Sequence, residues 1–247
     1  MSKLKPARWQ QHPLTLITAV ILGVGPLYAI VIWSGFASLR NPALRATDVE
    51  STLLTLLLVV IGFGGLILIV LRLLNGENLS DLDLKKQTAW LDLTHGLLLV
   101  LPLIFSQLLL GIIARFFTIP DISESNRLLA HALAGDSTLL LVWLGPVIWL
   151  QAGVFEEFTR VFMLSRLWKV WSGPKARYLV LLASSLLFGL GHINQGTFGI
   201  LGTMLIGFVL GYYYMKSGRV LPLIISHALY DTTVIVMLVY AAKMGMI

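Results

Sequence analysis

Seven stretches of nearly unbroken apolar residues alternate with short polar segments along the chain, at 13–37, 51–74, 93–117, 138–164, 178–195, 197–215 and 220–242. A helix that crosses a bilayer needs about 20 mostly apolar residues. The pattern therefore predicts an all-α, polytopic transmembrane helix bundle of about seven spans. The fifth and sixth runs lie so close that the count depends on where the break between them falls. Pro26, Pro102 and Pro146 fall inside runs, where neighbouring helices can repair the hydrogen bonds a proline removes. The segment 77–92 spaces leucines among polar residues, which suits either a short interfacial helix or a solvated loop. No repeat or Pro/Ser-rich linker divides the chain. The expected organisation is one integrated domain, with N-terminal transmembrane helices and loops over 1–130 and a polar-bearing core over 131–247.

Composition points the same way. Hydrophobic residues make up 57% of the chain and charged residues only 12%, against about 25% charged in soluble domains. So little polar surface cannot clothe the molecule in water, and a lipid bilayer is the partner it implies. The net charge of +6 does not indicate nucleic acid, because the basic residues sit in short loops between apolar runs. With the N-terminus placed inside, twelve Lys and Arg fall in inside segments, among them Lys3, Lys5, Lys85, Lys86, Arg166 and Arg219. Five fall outside, at Arg40, Arg45, Arg115, Arg127 and Lys243. That excess predicts a cytoplasmic N-terminus. The outside loop 118–137 carries Asp121, Glu124 and Asp136. The first run is too long for a signal-peptide core and has no clear small-residue cleavage site, so it reads as an uncleaved span. Cysteine is absent, which removes disulfides, thiolate catalysis and Cys-ligated zinc.

The informative residues are the polar ones in the wrong solvent. An ionisable group at bilayer depth costs at least about 2.5–3.5 kcal/mol. Glu156, Glu157, Arg160, His192, His227 and Asp231 all lie within the C-terminal apolar runs. On a helix, Arg160 can pair with Glu156 four residues before it or with Glu157 three before it. Phe188 and His192 are four apart, as are His227 and Asp231, so each pair shares a helix face. Taken singly, each element also suits a structural salt bridge or a hydrogen-bonded core histidine. Together, on three helices, they suggest one shared polar site. A Glu can act as general base on water. Two His and an Asp can ligate a metal or stabilise an oxyanion. His95 and His131 read as structural or solvated. Gly207 and Gly211 form Gly-x-x-x-Gly, which marks close helix packing, expected within the chain.

These motifs resemble the CAAX-protease and bacteriocin-processing (CPBP, or Abi) family of intramembrane proteases. That family carries Glu-Glu-x-x-x-Arg, Phe-x-x-x-His and His-x-x-x-Asn/Asp on successive membrane helices. Phe188–His192 and His227–Asp231 match the second and third motifs. The Gly-rich helix and basic Ser-Gly turn before His227 also look like the family, and the resemblance covers about 138–242. The first motif is one residue short: Arg160 is four positions after Glu156, where the family has five. Either Glu can therefore stand as the base, and Glu156 is the expected one.

The resemblance implies a membrane-embedded peptidase acting on a peptide or protein substrate, with the catalytic set Glu156, Glu157, Arg160, His192, His227 and Asp231. A zinc form would use His192, His227 and Asp231. The expected setting is a bacterial inner or plasma membrane, with a mid-membrane site open to the cytoplasm. Straight upright helices would put Glu156, His192 and His227 at different depths, so tilt or a longer cytoplasmic end is needed to align them. Two other classes stay open: a non-catalytic scaffold or bacteriocin-immunity-type protein of the same fold, and a proton-coupled carrier. The carrier lacks the inverted repeat such proteins carry.

Overall fold

The computed structural model of the chain describes residues 7–41, 48–82, 88–119 and 122–247. The residues Lys3, Lys5, Arg45, Lys85, Lys86 and Asp121, used above for charge placement, lie outside these. Eight long or amphipathic helices carry the fold: α1 (Pro13–Arg40), α2 (Val49–Asn75), α3 (Ala89–Phe116), α4 (Glu124–Gly135), α5 (Ser137–Val170), α6 (Pro174–Leu190), α7 (Gly196–Ser217) and α8 (Leu221–Lys243). No strand occurs among the described residues. Six of these helices (α1, α2, α3, α5, α7 and α8) are long and apolar enough to cross a membrane. The fifth run folds as α6, which has 17 residues. The expected count of about seven is therefore met by six clear spans and one short helix.

Side-chain exposure identifies the solvent. Trp33, Leu58, Leu101, Phe105, Leu141, Leu179 and Met237, spread over six helices, all point outward and are exposed. In water this belt would be one continuous apolar surface; in lipid it costs nothing. Inside, Val24, Ile67, Phe162, Leu164, Leu181, Phe188, Leu210 and Leu223 join α1, α2, α5, α6, α7 and α8 in the main core. A smaller core forms where Leu129 and Leu133 of α4 meet Ile148 of α5 and Ile235 and Val239 of α8.

Helix α4 lies where the sequence pattern predicts an outside loop. Ser123 caps it by accepting from Asn126 N at 3.2 Å, and Leu129, Ala130 and Leu133 form its buried stripe. Over the segment 77–92, the described part consists of a 3-10 turn at Leu79–Asp81 and the start of α3. The remainder of the interfacial-helix expectation, 83–87, lies outside the described residues.

The prolines are accommodated within helices, as membrane spans allow: Pro26 in α1, Pro102 in α3 and Pro146 in α5. Pro146 belongs to a wide-turn π-helical stretch, Trp143–Glu156, that ends at the first glutamate of the pair. Such stretches are rare and often mark functional sites.

One end of the bundle is tied by buried charge. Arg166 of α5 is fully buried and lies 2.6 Å from Glu77, which also pairs with Lys169. Asp92 of α3 pairs with Arg219 in the α7–α8 turn. His95 Nδ1 lies 2.8 Å from the Tyr213 hydroxyl. Two of the arginines counted for orientation, Arg166 and Arg219, are thus neutralised within the fold.

Close backbone approach sets how the helices meet. A Cβ on Gly189 would lie 2.6 Å from the Ile200 carbonyl oxygen, so α6 touches α7 backbone to backbone. Gly207 faces Phe188 and Ser185, and Gly211 faces Leu181. The Gly-x-x-x-Gly pair therefore packs within the chain. Gly189→Ala must push α6 off α7, a cost of about 1–3 kcal/mol for overpacking. It should lower the unfolding temperature in detergent. Gly111→Ala, with open space at its Cβ, should leave that temperature unchanged or raise it.

Candidate active site

The site is assembled from α5, α8 and the turn that follows α6. On α5, a Cβ on Gly153 would lie 3.2 Å from Ile224 O and 3.3 Å from Ala228 Cβ. A side chain there would press on α8 by a few tenths of an ångström. One turn further along α5 lie Glu156 and Glu157, and the approach of α8 brings His227 to them. Its Nδ1 sits 2.7 Å from Glu157 Oε1.

The two glutamates have different surroundings. Glu157 is fully buried, and its Oε1 accepts from Arg160 as well as from His227. The structure thus pairs Arg160 with Glu157, at i, i+3. Phe155 is buried and packs toward Gly64 of α2, so it has no part in the polar cluster. Glu156 points elsewhere. Its Oε2 lies 4.0 Å from His192 Nε2 and 4.0 Å from His227 Nε2. That oxygen is buried without a hydrogen-bond partner among the described residues. Asp231 completes the group, its Oδ2 3.7 Å from His227 Nε2.

His192 does not ride on a helix. Helix α6 ends at Leu190, and His192 stands at the head of the 3-10 turn Ile193–Gln195. Gly196 closes that turn with φ +76°, a conformation that favours glycine. His192 Nδ1 lies 2.9 Å from the Phe188 carbonyl oxygen. A carbonyl only accepts, so Nδ1 carries the hydrogen and Nε2 faces Glu156. The same logic applies to His227, whose Nδ1 donates to a carboxylate and whose Nε2 faces Glu156 and Asp231.

Phe188 is the common floor. Its ring lies edge-on to His192 with centroids 4.7 Å apart and to His227 at 6.0 Å, and the Arg160 guanidinium sits 4.2 Å above it. The aromatic residue of the Phe-x-x-x-His motif therefore orders three polar side chains at once. All six residues singled out from sequence (Glu156, Glu157, Arg160, His192, His227 and Asp231) meet here. The depth mismatch expected for straight upright helices does not arise. Sequence reasoning passes over Tyr28 of α1, whose ring lies against Gly191. A tyrosine in an apolar run carries no signal that separates it from an interfacial aromatic.

The same geometry bears on metal binding. Among the described residues, no group of three or more His, Cys, Asp or Glu is placed to hold a metal ion.

Residues 138–233 match the family model described as Type II CAAX prenyl endopeptidase Rce1-like. This segment, from the start of α5 into α8, is thus a match to the CPBP family whose motifs the chain resembles. No curated protein and no solved structure matches the chain.

The buried Glu157–Arg160 pair generates a stability prediction. Arg160→Met breaks a buried ion pair and leaves the Glu157 carboxylate only its His227 contact, a loss of up to about 3–5 kcal/mol. Adding Glu157→Gln removes that charge, so the double variant should recover part of the loss. Thermal unfolding of the two single variants and the double variant in detergent reads this coupling.

Proposed function

We propose that the protein is an intramembrane peptidase in which Glu156 activates water against a peptide carbonyl. The integral membrane setting and the CAAX-protease-like segment provide the coarse frame. The observation that carries the finer reading is the position of Glu156 Oε2, equidistant at 4.0 Å from two histidine Nε2 atoms. That spacing is too long for direct hydrogen bonds and suits one shared water.

In this reading, the water rests against His192 Nε2 and gives a proton to Glu156. Its oxygen bonds to the scissile carbonyl carbon. The developing oxyanion accepts a hydrogen bond from Nε2 of protonated His227, which Glu157 and Asp231 hold from either side. Collapse breaks the C–N bond, and Glu156 passes its proton to the leaving amine. Arg160 and Glu157 are positioning residues: their pair fixes the His227 ring. The substrate class is a peptide or protein tail presented at a bacterial inner or plasma membrane, with the N-terminus of the enzyme cytoplasmic.

The test uses the purified full chain in phosphatidylethanolamine–phosphatidylglycerol vesicles. The probes are a panel of fluorogenic membrane-associating peptides, including a farnesylated peptide ending in Cys-aliphatic-aliphatic-Met. Glu156→Gln, His192→Ala and His227→Ala should each lower kcat/KM by about 10²–10⁴-fold. Asp231→Asn, the other residue the motif admits, should stay within about tenfold of the parent chain. Unchanged turnover in the first three variants would overturn this catalytic assignment, and no cleavage by the parent chain would favour a scaffold. Elemental analysis of the same preparation reads whether zinc accompanies the protein.

A further inference from the structure

Helix α1 lies outside the segment that matches the family model, yet it forms one wall of the site. Two close approaches pin it there. A Cβ on Gly23 would lie 3.1 Å from the Phe162 ring of α5, and one on Gly35 would lie 2.2 Å from Ile193 Cγ2, next to His192. One end of the contact thus rests on the helix of Glu156, and the other on the turn of His192. Tyr28 falls between the two glycines. Its Cε1 lies 3.4 Å from where a Cβ of Gly191 would stand. Its phenol is within electrostatic range of Arg160, Glu156 and Glu157. The ring packs against the main core, so it is anchored rather than free at an interface.

Two physical arguments give this hydroxyl a task. First, a phenol at bilayer depth is costly unless it finds a polar partner, and the rest of the wall formed by α1 is apolar or small. Second, in the reading given above the oxyanion has a single donor, His227 Nε2, which lies 4.0 Å from Glu156 Oε2. Both histidine Nδ1 atoms are occupied, and Arg160 is engaged with Glu157 and Phe188. A neutral donor entering from α1 would supply a hydrogen bond without adding charge. We propose that the Tyr28 hydroxyl is a catalytic hydrogen-bond donor of this site, directed at the oxyanion formed on the scissile carbonyl. The inference rests on the peptidase reading given above.

The experiment compares the parent chain, Tyr28→Phe and Glu156→Gln in vesicles, on whichever peptide of the panel the parent chain cleaves fastest. Tyr28→Phe keeps the ring and its packing. The expected result is a fall in kcat of about 10²-fold, the usual cost of losing one oxyanion donor. KM and unfolding temperature should stay unchanged. Parent-like kcat in Tyr28→Phe, with Glu156→Gln inactive, would overturn the Tyr28 assignment and leave the peptidase reading standing. A fall in kcat that tracks a lower unfolding temperature would overturn it too, by making Tyr28 a packing residue. Parent-like turnover in Glu156→Gln, or no cleavage by the parent chain, would instead remove the peptidase reading and this inference with it.

Discussion

One buried ion pair governs the polar interior. Glu157 and Arg160 are both buried on α5, and neither charge would be tolerable in hydrocarbon alone. Because Arg160 meets Glu157, that carboxylate can also receive His227 Nδ1. The ring nitrogen left over is then turned toward Glu156 and Asp231. The pair thus determines which atom of His227 is presented, and it does so from within a single helical turn. The neighbouring Glu156 keeps its Oε2 without a direct hydrogen bond among the described residues.

Around that pair, the fold works by proximity. Small residues bring the main chains of α5 and α8 together at Gly153 and those of α6 and α7 at Gly189. Phe188 then fills the space between, touching His192, His227 and Arg160. Distant charge clusters, Glu77 with Arg166 and Lys169, and Asp92 with Arg219, hold the ends of five helices in register. None of these residues reaches the central cluster. They keep apart the faces that would otherwise slide along one another in a solvent with no preference between apolar surfaces.

The bundle was legible in the sequence because apolar runs of membrane length rarely occur in chains that fold in water. The six site residues were legible for the complementary reason, that ionisable groups in such runs are rare and expensive. Other features were hidden. The one-residue shortening before Arg160 let either glutamate be its partner, and only the three-dimensional direction of the side chains separated them. Helix α4 was concealed because Glu124 and Arg127 mask its short Leu129–Leu133 stripe. The end of α6 at Leu190 was missed because apolar character continues through Ile193 while helical geometry does not. The part played by α1 was out of reach, since nothing in an apolar run says which face meets another helix.

The brevity of α6 has a consequence for the surrounding lipid. Seventeen residues rise about 26 Å, less than the roughly 30 Å of a typical hydrocarbon layer. A span this short meets such a layer by local thinning, by snorkelling of its flanking residues or by oligomerising, a hydrophobic mismatch that sorts such proteins among membranes of different thickness. The short flank ends where the helix gives way to His192.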